Sequence, residues 1–204
     1  MKKFLLLFLI FILFFFDAFA CDLPGHFEFN VSYNEILLYS GCYDAINLGP
    51  HIITYILTKE RALATGTRRP SAQFTQNRDG GVLQKILLEN GFSLPHHRDF
   101  TNSGYDRGHM APNADFNDTS ENALMTFFIA NIWPQTPEVN RVTWLRTENE
   151  TRRLASEYQE VVVLIIVDEF TGRKIGNISV PSVFKRRVYS MDGKLIYEIN
   201  INQD

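Results

Sequence analysis

Asp106-Arg107-Gly108-His109 puts a carboxylate, a guanidinium and an imidazole within four residues. An imidazole, with an unperturbed pKa of about 6.5, can take a proton from water near neutral pH. Gly108 lets the backbone turn, or lets a bulky substrate come close. A single histidine of this kind is more often a packing or surface residue, so any chemistry needs a second group of residues. The chain supplies one downstream. Asn131-Ile132-Trp133-Pro134-Gln135 leads to Asn140, and from Val139 to Tyr158 the sequence is polar, charged and free of Pro and Gly, which predicts a helix. At i, i+4 steps along it, Asn140, Trp144, Glu148 and Arg152 form one slowly drifting stripe. The stripe offers an amide oxygen, an aromatic ring, a carboxylate and a cation where an amphipathic helix would repeat apolar residues. The plain alternative is a solvated face with an incidental Glu148–Arg152 pair.

Together these pieces resemble the DNA/RNA non-specific endonuclease family. The resemblance rests on Asp106-Arg107-Gly108-His109, Ala111-Pro112-Asn113-Ala114-Asp115-Phe116, Asn131-Ile132-Trp133-Pro134-Gln135, Asn140, Trp144, Glu148 and Arg152, in order and with matching gaps, and covers Ile52 to Val188. It implies an α+β fold in which a central antiparallel sheet is flanked by helices, with a ββα-metal (His-Me finger) motif at the active site. It also implies a hydrolase that cuts phosphodiester bonds of DNA and/or RNA to leave 5′-phosphate and 3′-hydroxyl ends. His109 would be the general base. Asn140 would be the single protein ligand of a Mg2+ ion, replaceable by Mn2+ or another divalent ion. Glu148 would hold a water of that ion's shell. Such an ion takes oxygen ligands and keeps most of its water. Arg107, Arg152 and either Arg68 or Arg69 would meet the phosphate, for which a planar guanidinium offers paired donors. Asp106 would orient the loop or His109, and Asn131 and Gln135 would brace the site by hydrogen bonds. The chain departs from the family pattern after Val167, where Asp168-Glu169-Phe170 replaces Gly-Pro. Val180-Pro181-Ser182-Val183-Phe184-Lys185 is only a loose match.

The elements that must position these residues can be read in outline. Ile52 to Leu57 is β-branched and aromatic, a strand signal. Val82, Leu83, Ile86 and Leu87 recur at helical spacing between Gly81 and Asn90, with Gly91 suited to follow the C-terminus. Pro95 to Gly104 is polar and without period, so His109 is expected in a loop. Ser120 to Ile129 is expected to be helical behind a Thr119 or Ser120 cap. Val161 to Val167 reads as a buried central strand, and Ile175 to Val180, Phe184 to Met191 and Leu195 to Ile201 as further strands, the last two joined at Asp192-Gly193.

Composition frames the rest. A 204-residue chain that is 45% hydrophobic suits one domain with a real core. Residues 1–20 read as a secretory signal peptide: Met1-Lys2-Lys3, an apolar run from Phe4 to Phe16, then Ala18-Phe19-Ala20 before Cys21. The run falls short of the ~20 residues that span a bilayer. The expectation is a single domain over 21–204, secreted or periplasmic, without stable membrane association and with a homodimer as an open option. Export makes Cys21 and Cys42 a candidate disulfide, against two separate buried thiols. The net charge is −3, and removal of Lys2, Lys3 and Asp17 makes it one unit more negative. Proteins that hold nucleic acid by bulk charge are usually basic, so any positive field must be local. Its candidates are Arg68-Arg69, Arg107, Arg141, Arg146, Arg152-Arg153 and Lys185-Arg186-Arg187, most of them expected to be ordinary solvated side chains. Three other readings remain in view: a phosphodiesterase or phosphatase for small molecules, a non-enzymatic binding module, and glycosylation at Asn30, Asn117, Asn149 and Asn177 in a eukaryotic host. No Gly-x-Ser-x-Gly elbow marks a serine hydrolase, and the histidines and cysteines lack the paired spacing of a zinc site.

Overall fold

A computed structural model describes residues 21–66 and 74–203. The leader, Arg68 and Arg69 therefore lie outside the described residues. Six strands form one antiparallel sheet in the order β1 (His26–Tyr33), β2 (Ile36–Asp44), β3 (Gly49–Thr58), β6 (Glu160–Ile175), β7 (Ile178–Ser190), β8 (Leu195–Asn202). Its centre is the apolar run Val161 to Val167, which pairs with β3 on one side and β7 on the other. Alternate residues divide between the two faces. Val161, Val163, Ile165 and Val167 join the main core with Ile53, Tyr55, Phe184 and Val188. Leu164, Ile52 and Cys42 form a smaller cluster on the other face, beside Cys21, Ile166 and Tyr189. The disulfide joins Cys21 to Cys42, tying the start of the described chain to β2.

Two strands precede the first one expected. β1 and β2 form a hairpin whose tip, Asn34-Glu35, has φ of 48° and 65°, the left-handed pair that a two-residue hairpin turn requires. Near the C-terminus Ile175 ends β6 and the chain turns at Gly176-Asn177, inside the first of the two expected strands; its remainder and the second are one strand, β7, which runs through Pro181. The proline is accommodated where the β6–β7 pairing slips between Ile166 and Lys174.

The helices are short. They are α1 (Lys59–Ala62), α2 (Val82–Glu89) and α3 (Ser120–Met125). The α3 cap is Thr119, whose hydroxyl accepts from Asn122 N at 3.0 Å. That helix ends earlier than the sequence suggests because the chain turns away to pair with Thr75: Thr75 N donates to Phe127 O at 3.0 Å and Ile129 N to Thr75 O at 2.9 Å. The long polar segment begins with a π-helical turn, Val139–Trp144, and continues as α4 (Leu145–Tyr158). No helix among the described residues is long and apolar enough to cross a membrane.

A separate two-stranded ribbon carries the motif residues. β4 (Asp106–His109) pairs antiparallel with β5 (Ile132–Gln135). Trp133 anchors the ribbon to the sheet: its indole N–H donates to Pro50 O at 2.7 Å. Its ring lies against Gly49, where any Cβ would collide with it. Gln203 fastens the other end. Its amide donates to Pro134 O at 2.9 Å and Pro181 O at 3.0 Å, and its carbonyl accepts from Thr136 N at 2.6 Å.

Candidate active site

His109 is the last residue of β4, not a loop residue as its polar neighbours suggest. Its ring packs against Phe74 and Phe127, with centroids 5.3 and 5.5 Å away. The chain beyond it is held by Asn131. That side chain accepts from Ala111 N at 2.8 Å, and donates to Ala111 O at 2.9 Å and Thr126 O at 3.0 Å. Three hydrogen bonds from one buried amide fix the backbone that leaves the histidine.

The π turn and α4 lie alongside β4. Asn140 Nδ2 donates to Asp106 Oδ2 at 2.9 Å, at the start of the strand. Trp144 Nε1 donates to His109 O at 3.1 Å, at its end. Strand, strand and helix thus form one ββα unit with His109 and Asn140 on adjoining elements. Asp106 also takes a paired contact from Arg141, Nε and Nη2 each at 2.8 Å. Hydrogen bonding from Arg141 holds the Asp106 carboxyl below its ordinary range against some desolvation, and Asn140 adds to this. Asp106 therefore ties the start of β4 to Asn140. With its N–H2 end committed, the Asn140 amide has its oxygen, Oδ1, left for another partner.

Glu148 lies one turn beyond Trp144. Its carboxylate has no hydrogen-bond or close ion-pair partner among the described residues. Burial pushes it up to about 7. Arg186 and Arg152 oppose that rise and Asp115 adds to it. An amide oxygen and an uncommitted carboxylate form a hard oxygen donor set. No group of three or more His, Cys, Asp or Glu side chains suited to a metal occurs among the described residues. The donors present fit an ion that keeps most of its water, as Mg2+ does, better than one caged by protein ligands.

The arginines are more committed than expected. Arg152 Nη1 donates to Asp115 Oδ1 at 2.6 Å and Nη2 to Asn149 Oδ1 at 2.7 Å. Asp115 is wholly buried and also accepts from the Tyr55 hydroxyl at 2.7 Å. Arg107 donates to His97 O from Nε at 3.2 Å and from Nη2 at 2.7 Å, with its guanidinium over Phe100. Arg153, Lys185 and Arg187 are paired with Glu150 and Glu157, with Asp168 and Glu169, and with Glu198. Arg186 is wholly buried rather than solvated. Gln135 is buried too, yet its amide makes no hydrogen bond among the described residues. The expected bracing by hydrogen bonds is absent there, and the side chain instead fills the space over Gly108. Asp115 stands in the matched motif without an expected role, and nothing at the sequence level singles out Tyr55 or Gln203.

The family model for DNA/RNA non-specific endonucleases matches residues 27–202. The chain belongs to that family. Among curated relatives it is 37% identical over 94 residues to a nuclease of Nostoc sp., covering 46% of this chain and 34% of that protein. It is 30% identical over 122 residues to human mitochondrial endonuclease G, covering 60% and 38%, and 43% identical over 70 residues to the zebrafish (Danio rerio) mitochondrial nuclease EXOG, covering 34% and 20%. The matched segments thus span less than two-fifths of these relatives' own lengths. A solved complex of EndoG with EndoGI superposes with a TM-score of 0.66 at 25% identity, covering 90% of this chain and 77% of that one. The family's nucleases depend on a divalent metal. Membership and the antiparallel sheet with its ββα unit agree with the expected α+β class.

Proposed function

We propose that this chain is an exported, divalent-metal-dependent endonuclease that hydrolyses phosphodiester bonds of DNA or RNA without reading base sequence. One observation carries the reading. The same short unit sets the His109 strand against the Asn140 helix through two direct contacts, Asn140 to Asp106 and Trp144 to the His109 carbonyl.

His109 takes the proton from the water that attacks phosphorus. Asp106 fixes the Asn140 amide so that its oxygen would hold the ion, and Glu148 would accept hydrogen bonds from water bound to it. The ion, Mg2+ by the hardness of its donors, would when bound supply Lewis acidity for the phosphate and the departing 3′-oxygen. As the P–O3′ bond breaks, the departing oxygen takes a proton from a neighbouring water, leaving a 5′-phosphate and a 3′-hydroxyl. Arg152, held by Asp115, and Arg107 lend positive potential to the bound backbone. Arg68 or Arg69 is the further phosphate contact. Contacts of this kind address the backbone rather than base edges, which is why base sequence is not read. Residues 1–20 act as the export signal, and the disulfide suits an oxidising compartment outside the cytoplasm.

The test is purified protein on supercoiled plasmid and on a small chromogenic phosphodiester, each with Mg2+ and with EDTA. The reading expects plasmid nicking that EDTA abolishes and little action on the small diester. Fast turnover of the small diester with an intact plasmid would make the enzyme a small-molecule phosphodiesterase instead.

A further inference from the structure

Among the described residues Arg186 is the only lysine or arginine buried completely. It sits on β7, with Ile165 and Ile199 as its cross-strand neighbours. An apolar side chain would suit that position, and an unpaired buried cation costs several kcal/mol. No carboxylate forms an ion pair with it, although Lys185 and Arg187 on either side each have one. Its guanidinium carbon lies 4.3 Å from the centroid of the Trp144 ring. Nη1 makes one long hydrogen bond to Thr151 Oγ1 at 3.3 Å, while Nε and Nη2 have no partner.

Nε and Nη2 of Arg186 are thus unused buried donors, and Glu148 stands between the two helix residues that Arg186 contacts. Trp144, which caps α4, lies at i, i+4 and i+7 spacing with Glu148 and Thr151 of that helix, and Arg186 touches the first and the last. Of the charges that act on Glu148, that of Arg186 is the strongest. Buried polar groups without a protein partner are commonly satisfied by ordered water. The Trp144 ring over which Arg186 stacks is the one whose N–H holds the His109 carbonyl.

We propose that Arg186 is a positioning residue for phosphodiester hydrolysis. It holds the Glu148 carboxylate in place through bridging water, and by stacking on Trp144 it fixes the helix face that grips the His109 strand. This rests on the nuclease reading above and extends it to a residue outside the ββα unit. The guanidinium touches neither substrate nor ion. It sets where the groups that do so stand.

The test is a pair of substitutions, Arg186→Met and Arg186→Lys, each made in wild type and in Glu148→Gln, with kcat and KM measured on plasmid and folding followed by circular dichroism. In wild type, Arg186→Met is expected to lower kcat by about 30-fold with KM changed less than about 3-fold. Arg186→Lys is expected to recover most of the loss. In the Glu148→Gln background the further loss from Arg186→Met should fall to about 3-fold or less, because the two residues act through one another. An unchanged kcat in folded Arg186→Met would overturn the proposal, as would equal losses in both backgrounds. If Arg186→Met does not fold, Arg186→Gln is measured in the same backgrounds and read by the same rule. Wild-type protein that fails to cut with Mg2+ would end the nuclease reading, whereas active wild type with an indifferent Arg186 ends only this inference.

Discussion

Asp106 and Glu148 show how two carboxylates near one site take opposite parts. Asp106 is saturated by Asn140 and Arg141 and stays ionised, so it serves as a fixed hook. Glu148 is left open in a desolvated recess, and burial raises it from 4.5 to about 7. An acid raised on folding keeps its proton where the unfolded chain has already released it. Its contribution to stability is therefore full below about pH 4.5 and is lost as pH rises to about 7. In EDTA, Glu148→Gln should remove that slope. The variant should match wild type near pH 4 and exceed it near pH 8 by about 1–2 kcal/mol, a figure reduced for the solvent Glu148 still meets. Urea unfolding across that range checks this, and two parallel stability curves would contradict it. The same variant should nick plasmid at least 10-fold more slowly, because the water it holds loses an anionic acceptor.

At the scale of elements, the ribbon β4–β5 depends on a backbone approach that only glycine allows. A Cβ at Gly108 would run into the buried Gln135 side chain. Gly108→Ala should cost about 1–3 kcal/mol, as overpacking in a tight core does. Adding Gln135→Ala should return much of that loss, which thermal unfolding of the two variants would show. The motif residues were legible because their chemistry constrains type and spacing together. Asn140, Trp144 and Glu148 at helical steps do fall on one helix, and Val161 to Val167 does form the central strand. The strand β1 also carries a signal, since Phe27, Phe29 and Val31 alternate with polar residues, although it precedes the first strand expected from the sequence. Other features left no local trace. His109 ends a strand only because β5 pairs with it from 23 or more residues away. Arg186 is buried only because α4 packs over that face of the sheet, and a run of three basic residues reads as solvated until the helix is placed. The early end of α3 likewise depends on Thr75, far away in sequence.

Across the whole molecule, two devices secure a sheet that is assembled from both ends of the chain. The Cys21–Cys42 disulfide closes a loop with a sequence separation of 21 residues. Replacing both cysteines by serine should lower stability by roughly 3 kcal/mol by the loop-entropy model, measured by urea unfolding, while nicking at 25 °C stays near wild type because the bridge lies in β2 and not in the ββα unit. Gln203 does the same work at the other terminus by joining β5 to β7. The net charge of −3, with Arg141, Arg152, Arg153, Lys185 and Arg187 already paired with carboxylates, leaves little long-range attraction for a polyanion. On the proposed reading, binding comes from the few arginines around the ββα unit and should weaken with added salt. The claim on which the rest depends is that His109 and Asn140 serve one hydrated ion in different roles. The most direct measurement is Mg2+ binding by calorimetry beside plasmid nicking, for wild type, His109→Ala and Asn140→Ala, each shown to be folded. His109→Ala should still bind Mg2+ but nick about 100-fold or more slowly, and Asn140→Ala should lose both. Wild-type nicking by either folded variant, or undiminished Mg2+ binding by Asn140→Ala, would contradict the account.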